Sequence, residues 1–258
     1  MILPFFLLVQ AAATGPTLPD EARFDACIAA VARAPDEGVA EAERWQAAGG
    51  GVLARQCLGL AHAAATRWPA AATSFEGAAR AAEVARDGRA ARLWAQAGNA
   101  WLAGGAPAQA VTALDAALAQ GATEGELLGE VHLDRARALV ALDRLSDARV
   151  DLDAATRLAP RDPLAWLLSA TLARRQGDLA RAQADIGEAA TRAPDDASVA
   201  LEAGLIAANQ GNDAAARAAW NGAIAVQPGS PAAAQARSLL AQLDGTAVPA
   251  APAIEPGR

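Results

Sequence analysis

The spacing of three prolines is the feature that most constrains the fold of this chain. Pro160, Pro194 and Pro228 follow one another at equal intervals of 34 positions. A proline has no backbone N–H and its ring clashes with the preceding helical turn, so it ends a helix. Small residues keep the same period in three phases: Ala136, Ala170 and Gly204; Ala148, Ala182 and Ala216; Ala155, Ala189 and Ala223. The period predicts a repeated unit of two amphipathic helices joined by a short turn.

The composition favours helices in every unit. Alanine makes up about 30% of the 258 residues, and tyrosine is absent. Alanine is the best helix former and is too small to fill the core of a sheet. We therefore expect an all-α protein whose helices approach one another closely.

The phases also suggest how the helices pack. We expect the small residue of each first helix to face small residues of the second helix, so that the two backbones lie close together. Larger side chains such as Trp166, Leu152 and Ile186 would then fill the space between neighbouring hairpins. Because a single hairpin cannot bury its apolar face, the units must stack.

This pattern resembles the tetratricopeptide repeat (TPR). In the unit 163–196 the signature positions hold Trp166, Ala170, Gly177, Ala182, Ala189 and Pro194. In the unit that starts at Ala91 they hold Trp94, Gly98, Trp101, Gly105, Ala110, Leu114 and Ala117. The resemblance implies a right-handed superhelical solenoid of antiparallel helix hairpins.

The register divides the chain into segments. A TPR-like array is predicted over 52–244, after a degenerate hairpin at 20–51 and before a Pro- and Ala-rich tail, 245–258, that we expect to be disordered. An insertion of about four residues falls at 121–125, and Ser230–Pro231 starts a capping helix. The predicted units are 52–85, 91–124, 129–162, 163–196 and 197–230, followed by the capping helix 231–243.

The amino-terminal segment 1–13 resembles a secretory signal. An apolar stretch from Ile2 to Val9 precedes small residues, with cleavage plausible after Ala11 or Ala13. The stretch carries no Lys or Arg and is too short to cross a bilayer, which takes about 20 residues. We predict a periplasmic or secreted protein with no membrane span in the mature chain, and a cytoplasmic protein is the alternative.

Cys27 and Cys57 are the only cysteines. An exported chain with an even number of cysteines permits a disulfide, which here would close a loop of about 30 residues. Two buried, reduced cysteines that act as small apolar side chains are the alternative. Two cysteines without nearby histidines do not supply the four ligands of a zinc site.

No catalytic motif is present in the sequence. His62 and His132 each stand alone on a helix, and His62 falls where TPR units carry an aromatic residue, so we expect it to pack. There is no phosphate-binding loop, nucleophile elbow or His-Glu-x-x-His motif. A net charge of -7 also makes nucleic acid an unsuitable partner. We predict a protein that is not an enzyme and has no cofactor or metal.

The TPR resemblance implies that a peptide binds on the concave face, which the first helices line. Arginine can pair bidentately with a carboxylate and asparagine can hold an extended backbone, so an acidic segment or a free C-terminus would suit them. Ordinary solubilising arginines paired with nearby acids, and a structural self-association module, are the alternatives. The candidate residues on this face are Arg92, Asn99, Arg137, Arg174, Arg175 and Asn209.

Overall fold

The computed structural model describes residues 19–121 and 124–245, and within these residues every regular element is an α-helix. The predicted signal peptide, part of the insertion and all but the first residue of the predicted tail lie outside the described residues. The helices are α1 (Asp20–Arg33), α2 (Pro35–Ala47), α3 (Gly51–Ala64), α4 (Trp68–Ala85), α5 (Ala90–Ala103), α6 (Pro107–Ala119), α7 (Gly125–Ala141), α8 (Leu145–Leu158), α9 (Pro163–Arg175), α10 (Leu179–Arg192), α11 (Ala197–Asn209), α12 (Asp213–Val226) and α13 (Pro231–Leu243).

Consecutive helices pack against each other along the whole described chain. Beyond these neighbours, the closest approaches join odd-numbered helices: α1 with α3, α5 with α7, α9 with α11, and α11 with α13. Helix α13 packs on both α11 and α12. The all-α solenoid of helix hairpins predicted from the sequence is confirmed.

The helix ends differ from the predicted units at several points. Helix α3 begins at Gly51, just before the first predicted unit, and α5 begins at Ala90. Helix α7 begins at Gly125, one helical turn before the unit predicted to start at 129. Gly125, the last residue of the predicted insertion, is therefore the first residue of α7. The division into five units remains a proposal.

Each of five hairpins places a small residue opposite a large one. A Cβ atom on Gly59, Gly98 or Gly204 would overlap the side chain of Phe75, Leu114 or Trp220, respectively. In every case the large residue follows the glycine by 16 positions. In the two remaining hairpins alanine replaces glycine, and the pairs at the same spacing are Ala136 with Leu152 and Ala170 with Ile186.

The expected contact of small residues with small residues is therefore wrong. Glycine leaves a hole in the surface of the first helix, and a ring or a branched side chain from the second helix fills it. Trp220 is 3% exposed, and its Nε1 donates to the carbonyl oxygen of Leu201. A large side chain at this position buries much more apolar area than alanine would. Each Å² of buried apolar area stabilises the fold by roughly 25 cal/mol.

Within the described residues, side-chain caps occur only on the later helices. Asp162, Asp178, Asp196, Asn212 and Ser230 each accept a hydrogen bond from a backbone N–H in the first turn of helices α9 to α13. Such a cap stabilises a helix by about 1 kcal/mol. Helices α1 to α8 have no side-chain cap of this kind in the part of the chain that the structure describes. The best TPR match in the sequence, the unit 163–196, thus lies among the capped hairpins.

The first hairpin is held in a different way. In helices α1 and α2 the order is reversed, because the glycine lies on the second helix: a Cβ atom on Gly38 of α2 would overlap Val31 of α1. Their core with α3 is a separate cluster around Cys27, Ala42, Trp45 and Cys57. Cys27 and Cys57 form a disulfide between α1 and α3, with their Cα atoms 6.4 Å apart. Both cysteines are fully buried.

The contact between Gly204 and Trp220 can be tested by one added methyl group. We expect Gly204→Ala to lower the free energy of unfolding by ~2 kcal/mol, because the new Cβ overlaps the indole and overpacking outweighs the gain in helix propensity. Gly222→Ala is the matched control, since Gly222 lies inside α12 with no atom near the position of its Cβ. We expect this control to stabilise the protein by about 0.5–1 kcal/mol. Urea denaturation followed by circular dichroism measures both, and equal effects would contradict the proposed packing.

The disulfide gives a second prediction. The bond closes a loop with a sequence separation of 30 residues, which corresponds to about 3–4 kcal/mol in the chain-entropy model. We expect the double variant Cys27→Ala/Cys57→Ala to lose this stability in the α1–α3 region, as measured by hydrogen exchange. Reduced wild-type protein should match the variant, and the reductant should leave the variant unchanged. If reduction left the exchange of α1 unaffected, the bond would not hold the first hairpin.

Candidate peptide-binding face

The six candidate residues all lie on odd-numbered helices of the array. Helix α5 carries Arg92 and Asn99, α7 carries Arg137, α9 carries Arg174 and Arg175, and α11 carries Asn209. We call the surface formed by α5, α7, α9 and α11 the first-helix face. Beyond the contacts between consecutive helices, α5 packs on α7 and α9 packs on α11. Contacts between first helices are expected on the inner side of a curved stack.

Arg174 is engaged by a buried partner. Its Nε donates to Glu202 Oε1 at 2.6 Å, and its Nη2 donates to Glu202 Oε2 at 3.2 Å. The side chains of Arg174 and Glu202 are 19% and 8% exposed. This bidentate pair joins α9 to α11 across 28 residues, so Arg174 supports the stack and has little capacity left for a ligand. Sequence reasoning did not single out Glu202.

Asn99 and Arg137 meet at one carboxylate. Arg137 Nη1 donates to Asp134 Oδ1 at 3.0 Å, and Asn99 also hydrogen-bonds to Asp134. Burial raises the pKa of Asp134, although these two hydrogen bonds act to lower it. Arg137 remains about half exposed, whereas the side chain of Asp134 is only 15% exposed. Because Asn99 is a second partner of Asp134, the arginine can turn towards a ligand while the carboxylate stays hydrogen-bonded.

The other three candidates have weak partners or none. Arg175 Nη2 lies 4.0 Å from Asp143 Oδ1, and both side chains are exposed. Arg92 and Asn209 are exposed, and neither makes a side-chain hydrogen bond or ion pair with the residues that the structure describes. Arg92 lies with Gln56 and Leu127 at a separate cavity of about 230 Å³ between α3, α5 and α7.

An apolar cavity opens between the two candidate arginines on α7 and α9. Its volume is about 160 Å³, and Arg137 and Arg175 lie at its wall. Sequence reasoning did not find it, because the cavity forms between two hairpins rather than within one. The rest of the lining consists of Ala136, Val140, Leu152, Leu168, Thr171 and Leu172.

Comparison with known proteins rests on structure alone, since no family model and no curated protein matches the sequence. PilF of Pseudomonas aeruginosa superposes with a TM-score of 0.68 over 85% of this chain and 97% of its own, at 14% identity. PilW, a type IV pilus biogenesis factor, gives 0.69 over 85% and 99%, at 18% identity. YrrB, a TPR protein with an unusual peptide-binding site, gives 0.57 over 76% and 96%, at 20% identity.

The chain has a tetratricopeptide-repeat fold. At these identities the likeness establishes the fold and does not assign a ligand.

A buried polar network joins α7 to α8 in this TPR array and accounts for His132. Asp151 is 1% exposed and accepts hydrogen bonds from His132 Nδ1 at 2.8 Å and from Arg135 Nε and Nη2 at 2.8 and 2.7 Å. Burial alone would raise the pKa of Asp151, but the bonds from His132 and Arg135 outweigh it and lower the pKa. The hydrogen bond between His132 and Asp151 therefore joins α7 to α8, and this structural role explains both residues.

The chemistry available elsewhere is limited. In residues 19–121 and 124–245 no group of three or more His, Cys, Asp or Glu side chains is placed to hold a metal ion. Burial lowers the pKa of His62, with Arg67 nearby acting in the same direction. Among the helices that the structure describes, none combines the length and apolar character that crossing a bilayer requires. The absence of an enzyme activity remains a prediction.

The difference between Arg174 and Arg175 can be measured directly. We expect Arg174→Ala to destabilise the protein by ~3 kcal/mol, because it leaves the carboxylate of Glu202 buried without its partner. Arg175→Ala should change stability by less than about 0.5 kcal/mol, since its ion pair is long and exposed. Urea denaturation of the two neighbouring variants provides the comparison. If both variants unfolded like the wild type, the bond between α9 and α11 would not stabilise the stack.

Proposed function

We propose that this protein is a non-enzymatic scaffold that binds a protein or peptide on its first-helix face. The observation that carries the proposal is the apolar cavity with Arg137 and Arg175 at its wall. Most ligand sites pair an apolar surface with a few placed polar groups, and this cavity has that composition. YrrB, which shares the fold, is described by its peptide-binding site, so the fold is able to carry one.

We further propose that the protein works in the periplasm or outside the cell. A fully buried disulfide supports an oxidising compartment, because cytosolic thiols are kept reduced. The signal-like residues 1–13 agree with this location. Mass spectrometry of the protein from the native host tests it: the mature chain should begin after Ala11 or Ala13 and contain no free thiol.

Partner capture tests the binding proposal, and the choice of variant matters. The double variant Arg137→Ala/Arg175→Ala removes two exposed arginines. The ion pair of Arg175 is long and exposed, and Asn99 remains as a partner of the mostly buried Asp134. Arg174 must be left intact, because its loss would disturb the stack and imitate a loss of binding. Arg157→Ala is the matched control, since Arg157 is an exposed arginine of α8 with no ion pair in the described residues.

We expect the wild type and Arg157→Ala to capture the same partner protein. When the purified partner is titrated, the double variant should bind it about tenfold more weakly. Equal retention by all three forms would show that the partner binds elsewhere. Light scattering over a range of concentrations tests for self-association. If the mass rises with concentration in the wild type while the double variant stays a monomer, a second copy of the chain occupies this face.

A further inference from the structure

The size of the cavity between α7, α8 and α9 limits what can enter it. Its volume of about 160 Å³ is close to the roughly 150 Å³ of an engineered protein cavity that binds benzene. Val140, Leu152, Leu168 and Leu172 supply an almost wholly apolar lining. One leucine, isoleucine or phenylalanine side chain fits such a space, and a charged group would lose its hydration without a partner.

The charges at the cavity specify what lies next to that side chain. Arg137 belongs to α7 and Arg175 to α9, so the two guanidinium groups come from different walls of the cavity. Their present acidic partners are Asp134, which Asn99 also contacts, and Asp143, whose carboxylate lies 4.0 Å from Arg175. A ligand carboxylate can therefore pair with either arginine without leaving Asp134 alone. The net charge of the chain is -7, so an acidic ligand is attracted by local arginines such as this pair and not by the charge of the chain as a whole.

We infer that the first-helix face recognises an internal peptide segment in which one large apolar side chain is flanked on both sides by acidic residues. The apolar side chain enters the cavity, and the flanking carboxylates pair with Arg137 and Arg175. This inference rests on the proposed function and specifies the class of its partner. Two arginines on separate walls match two separate carboxylates better than they match one terminal carboxylate.

Thr171 offers a way to test the cavity without touching the charges. It is half-buried in the wall, and its hydroxyl donates to the carbonyl oxygen of Leu167 at 3.0 Å, one turn back on the same helix. Thr171→Leu keeps the helix and fills the cavity from inside. The double variant Arg137→Ala/Arg175→Ala does the reverse, because it removes the charges and leaves the apolar lining in place.

The probes are short fluorescein-labelled peptides with blocked ends, measured by fluorescence anisotropy. The first has a central leucine flanked by aspartates, the second replaces the leucine by alanine, and the third replaces the aspartates by asparagine. We expect the second and third peptides to bind the wild type about tenfold more weakly than the first. Added salt should weaken the first peptide and leave the third nearly unchanged.

The variants should separate the two preferences. In Thr171→Leu the leucine and alanine peptides should bind equally, while aspartate is still preferred over asparagine. In Arg137→Ala/Arg175→Ala the aspartate and asparagine peptides should bind equally, while leucine is still preferred over alanine. Arg157→Ala should behave like the wild type in every comparison.

Two results would overturn the inference. One is binding of the first peptide without a preference for leucine or for aspartate. The other is no binding of these peptides by a protein that still retains its captured partner through Arg137 and Arg175, which would leave the proposed function intact. If the captured partner also ignored both arginines, the proposed function would fall together with the inference.

Discussion

The contact between a small residue on one helix and a large residue 16 positions later organises this molecule. It recurs in five hairpins, with glycine opposite Phe75, Leu114 and Trp220, and with alanine at the equivalent position opposite Leu152 and Ile186. Because the partners are local in sequence, each hairpin can form its own contact before the hairpins stack. The contact also fixes the rotation of each first helix, and so decides which of its residues face outward.

That rotation explains why the sequence could place the candidate residues on one set of helices. The residue directly after the small one is Asn99, Arg137, Thr171 or Leu205 in successive hairpins, and these positions are equivalent in the register. The evenly spaced prolines reveal this register without a structure, since helix ends and small residues repeat together. The helical solenoid and the helices that carry the candidate residues could be predicted for this reason.

Contacts between hairpins could not be predicted in the same way. The pairing of Arg174 with Glu202 spans 28 residues, and the neighbouring Arg175 has only a long contact with Asp143. Both arginines stand next to each other in the sequence, yet a turn of about 100° per residue sends one towards α11 and leaves the other exposed. The cavity likewise depends on how closely two hairpins stack. The packing of small residues against small ones was predicted wrongly, because the period shows where glycine falls and not what fills the space beside it.

The cavity lies where two hairpins are joined by hydrogen-bonded and charged side chains. Arg149 of α8 donates to the hydroxyl oxygen of Ser169 on α9 at 2.7 Å, and Ser169 in turn donates to Asp185 of α10. Arg181 of α10 pairs with Asp153 of α8.

Hydrogen bonds and ion pairs need a defined geometry, whereas apolar contacts alone allow helices to slide. The polar contacts therefore fix the position of α9 relative to α8. The walls of the cavity come from α7 and α8 on one side and α9 on the other. The polar network that joins α8, α9 and α10 therefore fixes the two sides of the cavity relative to each other. A ligand that enters a preformed site does not have to order it, and more of the contact energy then appears as affinity.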